Sequence, residues 1–177
     1  DVFTYSRSSA DYLDLHWIYQ ILIYSTYRLG GYTSLSLLNI VLVALVFGLT
    51  LMRLRFTGAP PWVCAPLLLI ALWSCELRFH VRPEILTWIL MSLMLWVLEM
   101  RARQGRNLLF LLPLIQVVWA NSEGLFGIGW GVMGLYLVSD LVHSSKIDKP
   151  LWRYSGVAFA SCVLNPYFIR GAMLPFT

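Results

Sequence analysis

Long apolar stretches separated by short polar segments dominate the sequence. A helix needs about 20 apolar residues to cross a bilayer core roughly 30 Å thick, and fewer where the bilayer thins locally. Six stretches approach this length, and their approximate bounds are Leu35–Met52, Trp62–Cys75, Ile85–Leu98, Leu108–Ala120, Leu125–Val142 and Leu151–Leu164. The pattern therefore predicts an all-α, polytopic membrane protein with about six transmembrane helices, of which the second, fourth and sixth are short.

Apolar and aromatic residues also recur at helical spacing before the first stretch, where polar residues interrupt them. Trp17, Ile21 and Tyr24 are three of these apolar and aromatic residues. The pair Gly30-Gly31 then ends the pattern, as expected at a helix C-terminus. This predicts an amphipathic helix that lies on the membrane interface and leads into the first span. We expect one membrane domain over 1–177, with an outer loop and interfacial helix over 1–31 and a transmembrane bundle over 32–177.

Composition supports a membrane protein. Of 177 residues, 59% are hydrophobic and 12% are charged, whereas about a quarter of the residues of a soluble domain are charged. The chain opens in polar sequence without a starting Met, and it stops soon after an apolar segment. We expect it to be a fragment of a longer polytopic protein.

The distribution of charge predicts the orientation. Suppose that Leu35–Met52 runs from the outer side of the membrane to the inner side. The inner side then has eight Lys and Arg residues and three acidic residues, and the outer side has five Lys and Arg residues and six acidic residues. Short cytoplasmic loops collect Lys and Arg, so the basic side is predicted to be cytoplasmic. The opposite helix ends then face the periplasm of a bacterium or the lumen of a eukaryotic organelle.

Polar residues collect at the predicted outer helix ends. Five ionisable residues lie within the nine positions 76–84, between two apolar stretches. Charged residues beside membrane-spanning segments usually mark either the membrane surface or a functional site. An arginine can bind a phosphate through two hydrogen bonds, and a carboxylate can act as a base or hold a divalent metal ion. The candidate catalytic residues are Asp14, Glu84 and Glu123, and the candidate substrate-binding residues are His16, Arg78, His80, Arg82, Asn121, Asn165 and Arg170.

A structural explanation of the same charges stays open. Arg82 with Glu84, or Glu76 with Arg78, would also make interfacial ion pairs that cap helix ends. No His-x-x-x-His or Cys-x-x-Cys spacing is present, so we expect no preformed zinc site. No cofactor can be named, although the carboxylates could hold a divalent metal ion.

Four segments, taken in order, resemble strings found in bacterial polytopic proteins related to the C-type (GT-C) glycosyltransferase superfamily. The resemblance covers most of the chain. The strings are Asp14-Leu15-His16-Trp17-Ile18-Tyr19-Gln20 with Tyr27-Arg28-Leu29-Gly30-Gly31, Arg82-Pro83-Glu84-Ile85-Leu86-Thr87, Trp119-Ala120-Asn121-Ser122-Glu123-Gly124, and Leu164-Asn165-Pro166-Tyr167.

The resemblance implies a GT-C-like fold and a glycosyltransferase whose active site lies in loops outside the cytoplasm. It further implies a polyprenyl-phosphate-linked sugar as donor and a bacterial inner-membrane location with the site facing the periplasm. Members of the superfamily usually carry an essential acid in the first outer loop. Asp1, Asp11 and Asp14 are the acidic residues of that loop in this chain, and none of them can be assigned as the essential acid by a motif match.

Two functional hypotheses follow. The first is a glycosyltransferase with lipid-linked sugar and membrane lipids as its partners and no nucleic acid among them. The alternative is a non-catalytic transmembrane subunit that packs against other membrane subunits, because Gly127 and Gly131 form a small-xxx-small pattern that lets helices approach closely. A transporter is less favoured, because no ionisable residue lies near the middle of a predicted span.

Overall fold

The computed structural model describes residues 13–74, 81–144 and 146–176, and all regular structure in these ranges is helical. The all-α prediction is confirmed. Two 3₁₀ turns, Gly124–Phe126 and Leu174–Phe176, accompany the α-helices. The α-helices are α1 (Trp17–Phe56), α2 (Pro61–Ser74), α3 (Glu84–Gln104), α4 (Leu111–Ala120), α5 (Gly127–His143), α6 (Lys149–Ser161) and α7 (Phe168–Ala172).

Three helical segments are long and apolar enough to cross a membrane, namely Trp17–Phe56, Glu84–Gln104 and Gly124–His143. The remaining predicted spans coincide with shorter helices: α2 has 14 residues, α4 has 10 and α6 has 13. At 1.5 Å per residue these helices are about 15 to 21 Å long, which is less than the thickness of a bilayer core. The fold is therefore that of a helical protein with three helices of spanning length among the described residues.

Helix α1 is broken at the glycine pair that the sequence pattern marked as a helix end. Gly30 has φ −165° and ψ 26°, and Gly31 has φ 62° and ψ −145°. The positive φ of Gly31 lies where a side chain would be strained, which explains the glycine. Two helical pieces, 17–29 and 32–56, therefore change direction at this point.

The buried core lies between α3, α4, α5 and α6. Helix α4 packs against α6 and α3, and it supplies Leu112 and Trp119, which are fully buried. Helix α3 supplies Met94 and Val97 from the facing side. In contrast, α2 packs against α1 and leaves large apolar side chains such as Leu69 and Trp73 exposed, as expected for a helix that faces lipid.

Ion pairs join the helix ends at one end of the bundle. Arg53 of α1 binds Glu99 of α3 through two hydrogen bonds of 2.7 and 3.2 Å. Arg101 of α3 binds Asp148 in the same way, at 2.7 and 2.8 Å, and its hydrogen bond is the main cause that lowers the pKa of Asp148. The backbone N–H of Asp148 donates to Asp140 at 3.0 Å. The charge count placed all five of these residues on one side, and the antiparallel helix order brings them to one end.

Candidate functional site

Polar residues from four separate segments lie together at the other end of the bundle, in hydrogen-bonded groups that come within 4.0 Å of each other at His16 and Glu123. They come from the start of α1, the first turn of α3, the end of α4 and the segment after α6. We call this cluster the polar network, and its members are Asp14, His16, Trp17, Gln20, Thr87, Trp119, Asn121, Glu123 and Tyr167. Asp14, His16, Asn121 and Glu123 were candidates from the sequence, but the sequence did not show that they meet.

Glu123 is the buried carboxylate of the polar network, with 7% of its surface exposed. It caps the 3₁₀ turn Gly124–Phe126, where its Oε2 accepts the backbone N–H of Leu125 at 2.8 Å. The same oxygen accepts the hydroxyl of Thr87 at 2.7 Å, and Trp119 Nε1 donates to that hydroxyl at 3.0 Å. Two donors on one oxygen hold the carboxylate in a single orientation. Its other oxygen, Oε1, faces His16.

His16 lies between two carboxylates. Its Nε2 is 4.0 Å from Glu123 Oε1, and its Nδ1 is 3.4 Å from Asp14 Oδ1. Two further contacts hold Asp14. The side-chain amide of Gln20 donates to Asp14 Oδ2 at 2.7 Å, and the backbone N–H of Asp14 donates to the hydroxyl of Tyr167 at 3.2 Å. An imidazole flanked in this way can move a proton between a bound hydroxyl and a carboxylate. Such contacts are often long before a substrate binds.

The environment of Asp14 favours its ionised form. Burial alone would raise the pKa of this carboxyl, but the backbone N–H of His16, the amide of Gln20 and the charge of His16 together lower it below its ordinary value of 3.8. A carboxyl whose pKa is lower in the folded state than in the unfolded state stabilises the folded protein at pH values above the unfolded-state pKa. That contribution is lost as the pH falls through the folded-state pKa.

The pKa of Asp14 leads to a prediction about acid stability. We expect Asp14→Asn to lower the thermal stability of the purified protein at pH 7, and the difference from wild type to shrink below about pH 4 as Asp14 becomes protonated. Thermal unfolding followed by circular dichroism from pH 3 to pH 8 measures this. A difference that stays constant over the whole range would contradict the role given to the Asp14 charge.

Asn121 joins three helices. Its Oδ1 accepts Trp17 Nε1 at 2.9 Å, and its Nδ2 donates to the carbonyls of Val117 and Leu164 at 2.8 Å each. These bonds fix the start of α1 against the ends of α4 and α6. Asn121 therefore shapes the site, because its amide is occupied by protein groups.

Asn165 organises the turn before α7. Its Nδ2 donates to the carbonyls of Cys162 and Phe168 at 2.6 and 3.0 Å, and its Oδ1 accepts the backbone N–H of Tyr167 at 2.8 Å. Phe168 has φ 48°, a conformation that non-glycine residues rarely adopt. The turn sets the position of Tyr167, whose hydroxyl contacts Asp14.

The other candidates lie outside the polar network. Glu84 begins α3 and lines a cavity of about 550 Å³, whose other lining residues come from α1, α2 and α3 and are mostly apolar. Arg82, just before α3, and Arg170, on α7, both have exposed side chains. Arg78 and His80 lie outside the described residues, as do Glu76, Asp1 and Asp11.

Thr87, Trp119 and Gln20 were not among the candidates from the sequence. Thr87 and Trp119 belong to two of the strings that carry the resemblance, and Gln20 is a polar residue within the first helical pattern. In the described ranges no group of three or more His, Cys, Asp or Glu residues could hold a metal ion. The polar network is thus a set of hydrogen bonds around a His and two carboxylates.

Comparison with known proteins assigns no family to this chain. No protein-family model, no curated protein and no solved structure matches it. The function has to be argued from the site itself.

Proposed function

We propose that the protein is a glycosyltransferase-like membrane protein that transfers a sugar from a polyprenyl-phosphate donor. The observation that carries this proposal is the contact of a buried, oriented carboxylate, Glu123, with His16 at an end of the helix bundle. This end also carries Arg82, which lies two residues before the start of α3. The resemblance of the local strings to the GT-C superfamily supports the same reaction.

The proposed reaction replaces one bond to the sugar with another. The hydroxyl oxygen of the acceptor forms a bond to the anomeric carbon, the bond from that carbon to the phosphate oxygen breaks, and polyprenyl phosphate leaves. Glu123 or His16 accepts the proton of the attacking hydroxyl, and Asp14 orients the imidazole of His16. Arg82 binds the phosphate and stabilises the charge that develops there.

We further propose that the chain crosses a bacterial inner membrane six times and that the polar network faces the periplasm. The ion-paired residues Arg53, Glu99, Arg101 and Asp148 lie at the opposite end of the bundle, which supports this orientation because the basic loops follow them. The short helices α2, α4 and α6 would then cross where the bilayer thins or where neighbouring helices cover them.

Replacement of Arg82 tests how the donor is bound. We expect Arg82→Gln to raise the KM for a polyprenyl-phosphate-linked sugar about tenfold or more, since a hydrogen-bonded charge contact contributes about 1.5 to 3 kcal/mol. The matched control is Arg106→Gln, because Arg106 is exposed in the loop that follows α3. Steady-state transfer by the protein in lipid nanodiscs measures both variants, and an unchanged KM in Arg82→Gln would remove Arg82 from donor binding.

The second candidate function is a non-catalytic subunit of a larger membrane assembly. It is favoured by one face of α5, where a methyl group added at Gly131 or Gly134 would contact nothing beyond α5 itself within 4 Å and where Leu135 is 72% exposed. A second helix could pack closely there. Co-purification of the native protein with other membrane proteins at a fixed stoichiometry would favour this function, and a monodisperse protein that binds polyprenyl phosphate would oppose it.

A further inference from the structure

A hollow lined by tyrosines lies in the bend of α1. Its volume is about 420 Å³, near the lower end of the range for small-molecule pockets. We call it the tyrosine hollow. It is lined by Tyr19, Gln20, Ile23, Tyr24, Tyr27, Tyr32 and Leu35.

The break at Gly30-Gly31 creates the tyrosine hollow. In a continuous α-helix, residues five positions apart point about 140° away from each other. Here the non-helical glycines turn the chain, so that Tyr32 meets Tyr27 edge to face with ring centroids 5.4 Å apart. The two rings form one wall, and the glycine pair has a structural role that helix termination alone does not explain.

The tyrosine hollow is continuous with the polar network through Gln20. This residue lines the hollow, and its amide donates to Asp14 at 2.7 Å. Gln20, Tyr24 and Tyr27 follow one another at spacings of four and three, so they share one face of the helix over about 10 Å. A ligand in the hollow would therefore lie next to the proposed reaction centre.

The lining indicates the chemistry of the ligand. The surface that lines the hollow is almost entirely apolar, and tyrosine rings form much of it. Among the residues that the structure describes, no charged side chain lines the hollow. A pyranose ring has apolar C–H faces that can stack on these rings, while its rim of hydroxyls would lie toward the open side of the hollow. A phosphate or an ammonium group would find no opposite charge there. Tyrosines also anchor proteins at membrane interfaces, but that role requires neither a concave surface nor Gln20.

We propose that the tyrosine hollow binds a neutral hexose unit. The identification of this hexose as the sugar of the donor or of a glycan acceptor rests on the proposed function. Binding of the hexose itself does not depend on catalysis, so the two proposals can be tested separately.

Saturation-transfer NMR with simple methyl glycosides tests the proposal. The protein in nanodiscs is mixed in turn with the methyl glycosides of glucose, mannose, galactose and N-acetylglucosamine. We expect transfer to at least one of them, a loss of affinity of at least fivefold in Tyr27→Leu and in Tyr32→Leu, and a smaller loss in Tyr27→Phe, which keeps the ring. Tyr32 is 79% exposed, so its replacement leaves the fold intact. Tyr154→Leu on α6 is the matched control and should bind as wild type does.

The outcomes separate the two proposals. No transfer to any glycoside, or equal affinity in wild type, Tyr27→Leu and Tyr32→Leu, would overturn the hexose site, even if the protein transfers sugars. Glycoside binding that these variants lose would support the hexose site, even in a protein without transferase activity. That last result would count against the proposed function alone.

Discussion

Glu123→Gln is expected to lower sugar transfer by at least about 100-fold, because general base catalysis typically contributes a factor of 10² to 10⁴. The amide keeps the shape of the side chain and can still accept hydrogen bonds from Thr87 and the Leu125 N–H, but it cannot take up a proton. We therefore expect kcat to fall while the protein still inserts and purifies. Transfer from a polyprenyl-phosphate-linked sugar, measured with the protein in nanodiscs, gives the result.

The matched control for Glu123 is Glu99→Gln. This change removes the carboxylate that pairs with Arg53 at the opposite end of the bundle. It should lower the unfolding temperature and leave the rate per folded molecule unchanged. Full activity in Glu123→Gln, or an equal loss in Glu99→Gln, would contradict a catalytic role for Glu123.

Gly129→Ala is expected to destabilise the fold by about 1 to 3 kcal/mol, the range for overpacking a filled core. A methyl group at Gly129 would lie 2.5 Å from Gln116 Oε1 and 3.1 Å from the ring of Trp119. Gln116 has little room to move, because it is fully buried and its amide donates to the carbonyl of Phe126 at 3.0 Å. Reversible unfolding in mixed micelles measures the change.

Gly131→Ala is the control on the same helix. Apart from the chain neighbours and the backbone of α5 itself, no atom lies within 4 Å of the added methyl group at this position. The exchange should be neutral or should stabilise α5 by up to about 1 kcal/mol, the difference between glycine and alanine in a helix. If both variants lost the same stability, the close packing at Gly129 would not be its cause.

The helical pattern of the fold could be predicted from the sequence because apolar runs are its strongest signal. The predicted span Trp62–Cys75 coincides closely with α2, and Ile85–Leu98 lies within α3, which continues to Gln104. The pair Gly30-Gly31 was predicted to end a helix, and it does interrupt the helical backbone. The sequence also marked the second, fourth and sixth stretches as short, in agreement with α2, α4 and α6. Hydropathy could not show that α1 continues beyond the glycine break.

The packing glycine could not be predicted from spacing alone. The small-xxx-small pattern pointed to Gly127 and Gly131, whereas the described structure buries Gly129 against α3 and α4. Gly127 faces Pro175, and Gly131 has open space beside it. Several glycines on one helix satisfy such patterns on different faces, and only the three-dimensional packing distinguishes between them.

The members of the candidate site were partly predictable. Asp14, His16 and Glu123 were candidates because they are polar residues at helix ends, and the structure joins them. Their distances depend on which helices are neighbours, and one sequence does not contain that information. Glu84 illustrates the limit, since Thr87 lies one turn further along α3 and binds Glu123, while Glu84 lines another cavity.

Photo-crosslinking tests the central claim that the polar network receives a lipid-linked sugar. The probe is a polyprenyl-phosphate-linked hexose with a photoreactive group on the sugar, irradiated with the protein in nanodiscs and mapped by mass spectrometry. We predict crosslinks in residues 14–32 and 119–125 that the unmodified donor suppresses. Crosslinks confined to the end that carries Arg53 and Asp148, or crosslinks that the unmodified donor does not reduce, would contradict the account.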